Sequence, residues 1–193
     1  MFKNKLNVKR LFDSSLSLII IFLAFTPMIL ISLLIKLTSR GPIIHWSKRV
    51  GLNNELFIMP KFRTMAIDTP QIATHLLDLN EPRITKVGKL MRKYSLDELP
   101  QLFSILKGDM SLVGPRPALF NQEDLVNLRT EKGIHNLVPG ITGWAQINGR
   151  DEIPIKEKVI LDKEYLDKKS IVFDIKIIWF SIVKVLSGDG VSH

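Results

Sequence analysis

The strongest pattern along the chain is an apolar run, SSLSLIIIFLAFTPMILISLLI, with no charged residue from Ser14 to Ile35. At about 1.5 Å per residue such a helix is long enough to cross a hydrocarbon core of about 30 Å, so a spanning helix is the simplest reading. Two features point instead to a re-entrant helix. Pro27 lies mid-run, where it removes the hydrogen bond to the Leu23 carbonyl and bends a helix. Basic residues flank both ends, Lys3, Lys5, Lys9 and Arg10 before the run and Lys36, Arg40, Lys48 and Arg49 after it. The positive-inside rule then places both ends on the cytoplasmic side. A helix that enters the membrane, breaks at Thr26-Pro27 and returns to the same face satisfies both features, with Thr26 helping to satisfy the freed backbone groups. The run is too long for a cleaved signal peptide, and no small-x-small site follows it.

Beyond the stretch SRGP at 39 to 42 the pattern becomes mixed and charged. IIHWSKRV, a turn at Gly51 to Asn54 and ELFIMPKF read as a hairpin, with Pro60 placing the second strand at an edge. Helical periodicity is expected over about 85 to 94, 97 to 107, 120 to 132 and 155 to 168. Near the C-terminus Ile175, Ile178, Trp179, Ile182, Val183 and Leu186 follow the 3, 4, 3, 4 spacing of an amphipathic helix. Its apolar stripe fits either a core or a membrane interface, with Phe173, Trp179 and Phe180 in the headgroup layer beside Lys176 and Lys184. The expected fold class is therefore α/β but predominantly helical: a re-entrant N-terminal helix broken at Pro27, a small sheet or hairpin, and amphipathic interfacial helices. With no repeat, low-complexity tract or long linker, residues 1 to 38 are expected to form the anchor and 39 to 193 a single domain that includes the C-terminal helix.

Composition sharpens this picture in three ways. In 193 residues, 46% are hydrophobic and the mean hydropathy is +0.15, more apolar than one core requires. The net charge of +8 fits an anionic partner, whether nucleic acid, a phosphorylated substrate or anionic lipid. The basic runs SKR, MRK and DKK are short and interspersed with acids, a poor stripe for nucleic acid, so none is expected as a partner. The absence of cysteine closes disulfide, thiolate-metal and cysteine-nucleophile readings. The histidines lack metal spacing; His75, His135 and His193 read as surface residues and His45 as a packed strand residue.

The candidate chemistry lies in SLDELPQLFSILKGDMSLVGPRP, where Asp97 and Glu98 stand between clusters of positive charge. Ser95 to Glu98 matches a capping box, in which both acids merely favour a helix N-terminus. Pro100 favours Asp97 as the N-cap, because that register puts the proline in the first turn, where its missing N–H is unpaired anyway. The helix would bury Leu99, Leu102, Phe103 and Leu106 and hold Asp97 ionised at its positive end. A carboxylate held in this way serves as a nucleophile or a metal ligand. The neighbours suit phosphate. Arg116 sits in the stiff turn GPRP, fit for a bidentate grip; Lys61 and Arg63 alternate along KFRTM; and PGITGWAQINGR joins glycines, amides and Arg150 in a loop able to approach a ligand closely. Together they outline a site for a phosphate ester with a divalent metal.

KRLFD, the apolar run broken at Pro27, KFRTM, SLDELPQLFSILKGDMSLVGPRP and PGITGWAQINGR, in this order, resemble the small monotopic phosphoglycosyl transferases of bacteria, from about Lys9 to Leu186. The resemblance implies that Asp97 attacks the β-phosphorus of a UDP-sugar, releasing UMP, and that undecaprenyl phosphate then takes the phosphosugar. It implies that Glu98, with Asp97, holds Mg²⁺, that Lys61, Arg63, Arg116 and Arg150 bind phosphates or uridine, and that Asp174 is a further functional acid in the substrate-binding set. It also implies a bacterial inner-membrane enzyme with its catalytic domain on the cytoplasmic face, in contact with membrane lipid and acting early in capsule, exopolysaccharide or O-antigen assembly. IDTPQIATHLLD and the GVSH tail resemble capsule-type members that use a UDP-linked 6-deoxy N-acetylhexosamine. Val138 stands where the family usually has a basic residue. A homodimer is left open. The competing readings are a metal-dependent phosphatase or pyrophosphatase using the same two acids, and a non-enzymatic membrane adaptor.

Overall fold

A computed structural model describes residues 2–67, 69, 83–149 and 153–187. Helix α1 (Phe2–Thr38) is followed by a hairpin of β1 (Ile44–Val50) and β2 (Leu56–Phe62), then α2 (Lys86–Lys93), a 3₁₀ turn at Leu96–Glu98 and α3 (Gln101–Lys107). The chain continues through β3 (Ser111–Val113), α4 (Glu123–Glu131), β4 (Gly140–Thr142), α5 (Trp144–Gly149), α6 (Ile155–Lys168) and α7 (Ile171–Ser187). The described residues are mostly helical, with two small two-stranded sheets, one antiparallel (β1–β2) and one parallel (β3–β4).

Helical structure in α1 passes through Pro27 without interruption, so the chain shows one helix where a break at Thr26-Pro27 was expected. Thr26 is exposed and is not seen to satisfy the freed carbonyl. What dominates α1 is its inward stripe. Asp13, Ser17, Ile31 and Ile35 are buried, and Leu16, Ile20, Ile21 and Met28 pack beside them on the cores below. The 3- and 4-residue steps place these positions on one face. That face docks on the domain from Lys9 to Ile35, about 39 Å of helix. The opposite face is bare: Phe22 is 81% and Leu37 82% exposed.

Guanidinium groups latch both ends of α1. Arg10 donates to the carbonyls of Ile105 and Leu106 at the C-terminus of α3. Arg63 donates to the Arg40 carbonyl at 2.6 Å and to the Ser39 carbonyl at 3.2 Å, just beyond the last turn of α1. The Ile105 and Leu106 carbonyls are among those that a helix terminus leaves without intrahelical partners.

The hairpin forms where expected. Asn53 and Asn54 take positive φ (53° and 62°), a conformation asparagine tolerates better than most residues. The two faces of β1–β2 differ. Met59 and Ser47 are buried, whereas Ile44, Trp46, Ile58, Pro60 and Phe62 line an apolar groove of about 540 Å³ beneath α1 residues Ile21 to Ser32. Phe103, expected in the core, is 52% exposed along this groove; Ile105 is buried in its place.

The parallel β3–β4 pair and α5 lie where the sequence suggested only a loop. A methyl group on Gly140 would stand 2.1 Å from the Gly114 nitrogen, and one on Gly114 would stand 2.4 Å from the Val138 oxygen. These glycines therefore serve close contact between two backbones. The α7 stripe also resolves: Ile175, Trp179, Ile182, Val183 and Leu186 are 45–74% exposed, while Asp174 and Ile177 face the interior.

Candidate active site

The carboxylate pair lies in the 3₁₀ turn before α3, so neither helix register matches. Ser95 adopts a left-handed conformation (φ 53°), Pro100 stands at the N-cap position of α3, and the helix proper begins at Gln101. Leu96 and Leu99 hold the turn from below: both pack on the Phe62 and Met91 cluster, and Leu99 also reaches the central core. Two apolar anchors thus bracket Asp97 and Glu98.

The two acids have different surroundings. Glu98 Oε1 accepts from Lys61 Nζ at 2.8 Å and from Arg116 Nη2 at 2.9 Å. Burial acts to raise the Glu98 carboxyl, but the charges of Arg116 and Lys61 and their hydrogen bonds override it, holding the group well below the usual carboxylate range. Asp97 is 8% exposed. Burial raises its pKa, with the Glu98 charge acting in the same direction; Lys61, Arg92 and Arg116 offset this only in part. Burial thus works against the helix N-terminus that was expected to hold Asp97 ionised. No donor among the described residues bonds its carboxylate.

The other expected site residues divide. Lys61 and Arg116 meet at Glu98. Arg63 does not join them: β2 ends at Phe62, and the Arg63 guanidinium is buried against the end of α1. Asp174 is 1% exposed and accepts from Lys9 Nζ at 2.6 Å and Tyr165 Oη at 2.7 Å. Its setting is a buried joint with Asp13 and Ser111 that supports α1. Arg150, most of the 67 to 78 stretch and the GVSH tail lie outside the described residues. His45, expected to be packed, is exposed across the ladder from Lys61. Arg92 was missed as an individual residue. It lies close enough to Asp97 to act on it electrostatically, and its Nε donates to Thr64 Oγ1 at 3.0 Å. The MRK cluster was the available signal, but only the fold shows which of its cations turns toward the acids.

Among the described residues no group of three His, Cys, Asp or Glu side chains gathers as a metal cage. Mg²⁺ is usually held by one or two carboxylates together with substrate phosphates. Glu98 and Asp97 fit that donor set, because both hydrogen bonds to Glu98 fall on Oε1.

A carboxylate with no hydrogen-bond donor among the described residues thus lies beside a second carboxylate gripped by two cations. The bacterial sugar transferase family model matches residues 4–188, and the chain belongs to that family. It is 41% identical over 188 residues to the uncharacterized sugar transferase EpsL of Bacillus subtilis, covering 96% of this chain and 91% of EpsL. It is 43% identical to the undecaprenyl-phosphate glucose phosphotransferase of Komagataeibacter xylinus and 40% identical to the UDP-glucose:undecaprenyl-phosphate glucose-1-phosphate transferase of Escherichia coli. The chain covers 90% and 92% of itself in these two matches but spans only 35% and 40% of those relatives.

Proposed function

We propose that the protein transfers a sugar-1-phosphate from a UDP-sugar to undecaprenyl phosphate, an initiating membrane step of capsule, exopolysaccharide or O-antigen assembly. The observation that carries this reading is the contrast between the adjacent acids: Glu98 is neutralised by Lys61 and Arg116, while Asp97 is left without a hydrogen-bond donor among the described residues. A carboxylate oxygen of Asp97 attacks the β-phosphorus, the bond from that phosphorus to the oxygen bridging to the α-phosphate breaks, and UMP leaves. An oxygen of undecaprenyl phosphate then attacks the same phosphorus and releases the Asp97 carboxylate. Dividing the exchange lets one site handle two large phosphates in turn. Lys61, Arg92 and Arg116 offset the repulsion between carboxylate and diphosphate, about 4 kcal/mol per charge pair at 4 Å in an effective dielectric near 20. Mg²⁺, held by Glu98 and Asp97, would add charge neutralisation at the diphosphate.

The acceptor is a lipid and the donor is water-soluble, so we place the domain on the cytoplasmic face of the inner membrane, with α1 a monotopic anchor that lies along the domain. Three observations support this. The inward face of α1 rests on the domain from Lys9 to Ile35, which a helix spanning away from the domain does not allow. The α7 stripe is exposed. The apolar groove reaches Pro60, next to Lys61, and Pro100, three residues after Asp97, and offers room for an isoprenyl chain. Lys61, Asp97, Glu98 and Arg116 come from one chain, so a homodimer is not needed to bring them together.

The test is UMP release by the detergent-purified protein with Mg²⁺ and a panel of UDP-sugars, including a 6-deoxy N-acetylhexosamine donor, each with and without undecaprenyl phosphate. Lipid-dependent UMP from one donor is expected. Hydrolysis of donors with equal speed in the absence of lipid would replace the transferase with a pyrophosphatase.

A further inference from the structure

The loop that presents Arg116 can be held in few ways. Pro115 and Pro117 have no N–H, so the segment must be tethered largely through its carbonyls. Four successive carbonyls are taken from four places. Pro115 accepts from the Gly140 N–H at 2.9 Å and Ala118 from the Val50 N–H at 3.0 Å. Arg116 accepts from Arg129 Nη1 at 2.8 Å and Pro117 from Arg49 Nη1 at 3.1 Å.

Arg129 is the most constrained of these donors. It lies on α4, 8% exposed, and its Nε and Nη2 both donate to Oδ2 of Asp162 on α6, at 2.9 and 2.6 Å. Asp162 is 2% exposed. The plane of the guanidinium is thereby set from α6, and Nη1 is aimed at the carbonyl of the residue whose side chain meets Glu98. Joining α4 to α6 does not by itself call for buried charge. Leu125, Ile134 and Val159 already form an apolar cluster there, and apolar pairs commonly replace buried ion pairs without loss of stability. An apolar pair cannot, however, donate a hydrogen bond to the Arg116 carbonyl.

We propose that Arg129, oriented by Asp162, is a positioning residue that fixes the direction of the Arg116 side chain and so sets the site's affinity for a diphosphate. The proposal rests on the reading of Arg116 as a phosphate-binding group. Arg129 touches no substrate; it acts through the GPRP backbone.

Two variants of the full chain separate this role from a simple staple. Arg129→Lys keeps a cation for Asp162 but lacks the planar fork that serves Asp162 and the carbonyl together. The double variant Arg129→Met, Asp162→Leu keeps packing and removes both charges. Each is compared with the parent by thermal unfolding, by calorimetric titration with inorganic pyrophosphate and Mg²⁺, and by donor kinetics. Both are expected to stay folded and to bind pyrophosphate about tenfold more weakly, the scale of one lost hydrogen bond near its upper value. The donor KM is expected to rise by a similar factor while kcat stays within about twofold. Rescue of pyrophosphate affinity to the parent value in a folded Arg129→Lys protein overturns the proposal. So does lowered stability in both variants with affinity unchanged, which would make the pair a staple only. A parent protein that binds no pyrophosphate also overturns it. If the parent binds pyrophosphate but releases no UMP from any donor, the transferase reading fails while the titration still decides the clamp.

Discussion

Asp97 and Glu98 are adjacent, yet they bear on stability with opposite signs. The Asp97 carboxyl is raised by burial, so the folded state favours its protonated form, and the charge it carries at neutral pH is a cost to folding. Asp97→Asn is therefore expected to unfold at the same or a higher temperature than the parent at neutral pH, while lipid-dependent UMP release disappears. Retained turnover would remove Asp97 from the nucleophile's role. Glu98 is held below its usual range, so its contribution to stability is present above the unfolded-state pKa and is lost as pH falls through the lower folded value. Glu98→Gln leaves Lys61 and Arg116 without their shared anion and is expected to cost about 1.5–3 kcal/mol, the range for hydrogen bonds to a charged group, measured by denaturant unfolding. Because the first displacement needs ionised Asp97, the acid limb of the rate profile should lie above the ordinary aspartate range. A limb within that range would show that Asp97 is not the group titrating.

At the scale of elements, the site depends on two backbones in contact. β3 leads into the GPRP turn and β4 lies beside it, with Gly114 and Gly140 at the closest approach. Gly140→Ala would place a methyl group 2.1 Å from a backbone nitrogen, which no side-chain rotation relieves. The expected result is a shifted or unfolded β3–β4 pair, a loss of more than about 3 kcal/mol, and activity lost with it. The joint between α1 and α7 is a second such place. Asp174 binds Lys9 and Tyr165 there, and Asp13 binds Ser111 at 2.7 Å. Asp174→Ala is expected to lower the thermal midpoint and loosen α1, seen as faster proteolysis near the N-terminus, and an unchanged midpoint would assign Asp174 a role outside this joint.

The whole molecule is organised around a helix that is apolar on its outside and specific on its inside. Long enough to cross a bilayer, α1 nevertheless has its inner face spoken for by Arg10, Asp13, Ser17, Ile31 and Ile35. A monotopic arrangement predicts that cysteines placed near residues 4 and 40 both label from the cytoplasmic side alone. The chain has no native cysteine to confuse the result. Labelling from opposite sides would establish a spanning helix and separate α1 from the domain it rests on here.

Local patterning alone determined much of this protein. The apolar run, the Asn-containing hairpin turn, the helix at 155 to 168 and the amphipathic C-terminal helix each follow from short-range periodicity and turn chemistry, and the acidic pair was legible as standing among cations. The tertiary structure decided which groups meet. Lys61 and Arg63 are two residues apart, yet one turns to Glu98 and the other to the end of α1, because the strand stops between them. Arg129 gave no signal in sequence, since its partners Asp162 and the Arg116 carbonyl are distant along the chain. The same physics kept the β3–β4 pair hidden: strands of three residues carry too little periodicity to read, and their pairing arises only when distant segments are brought together.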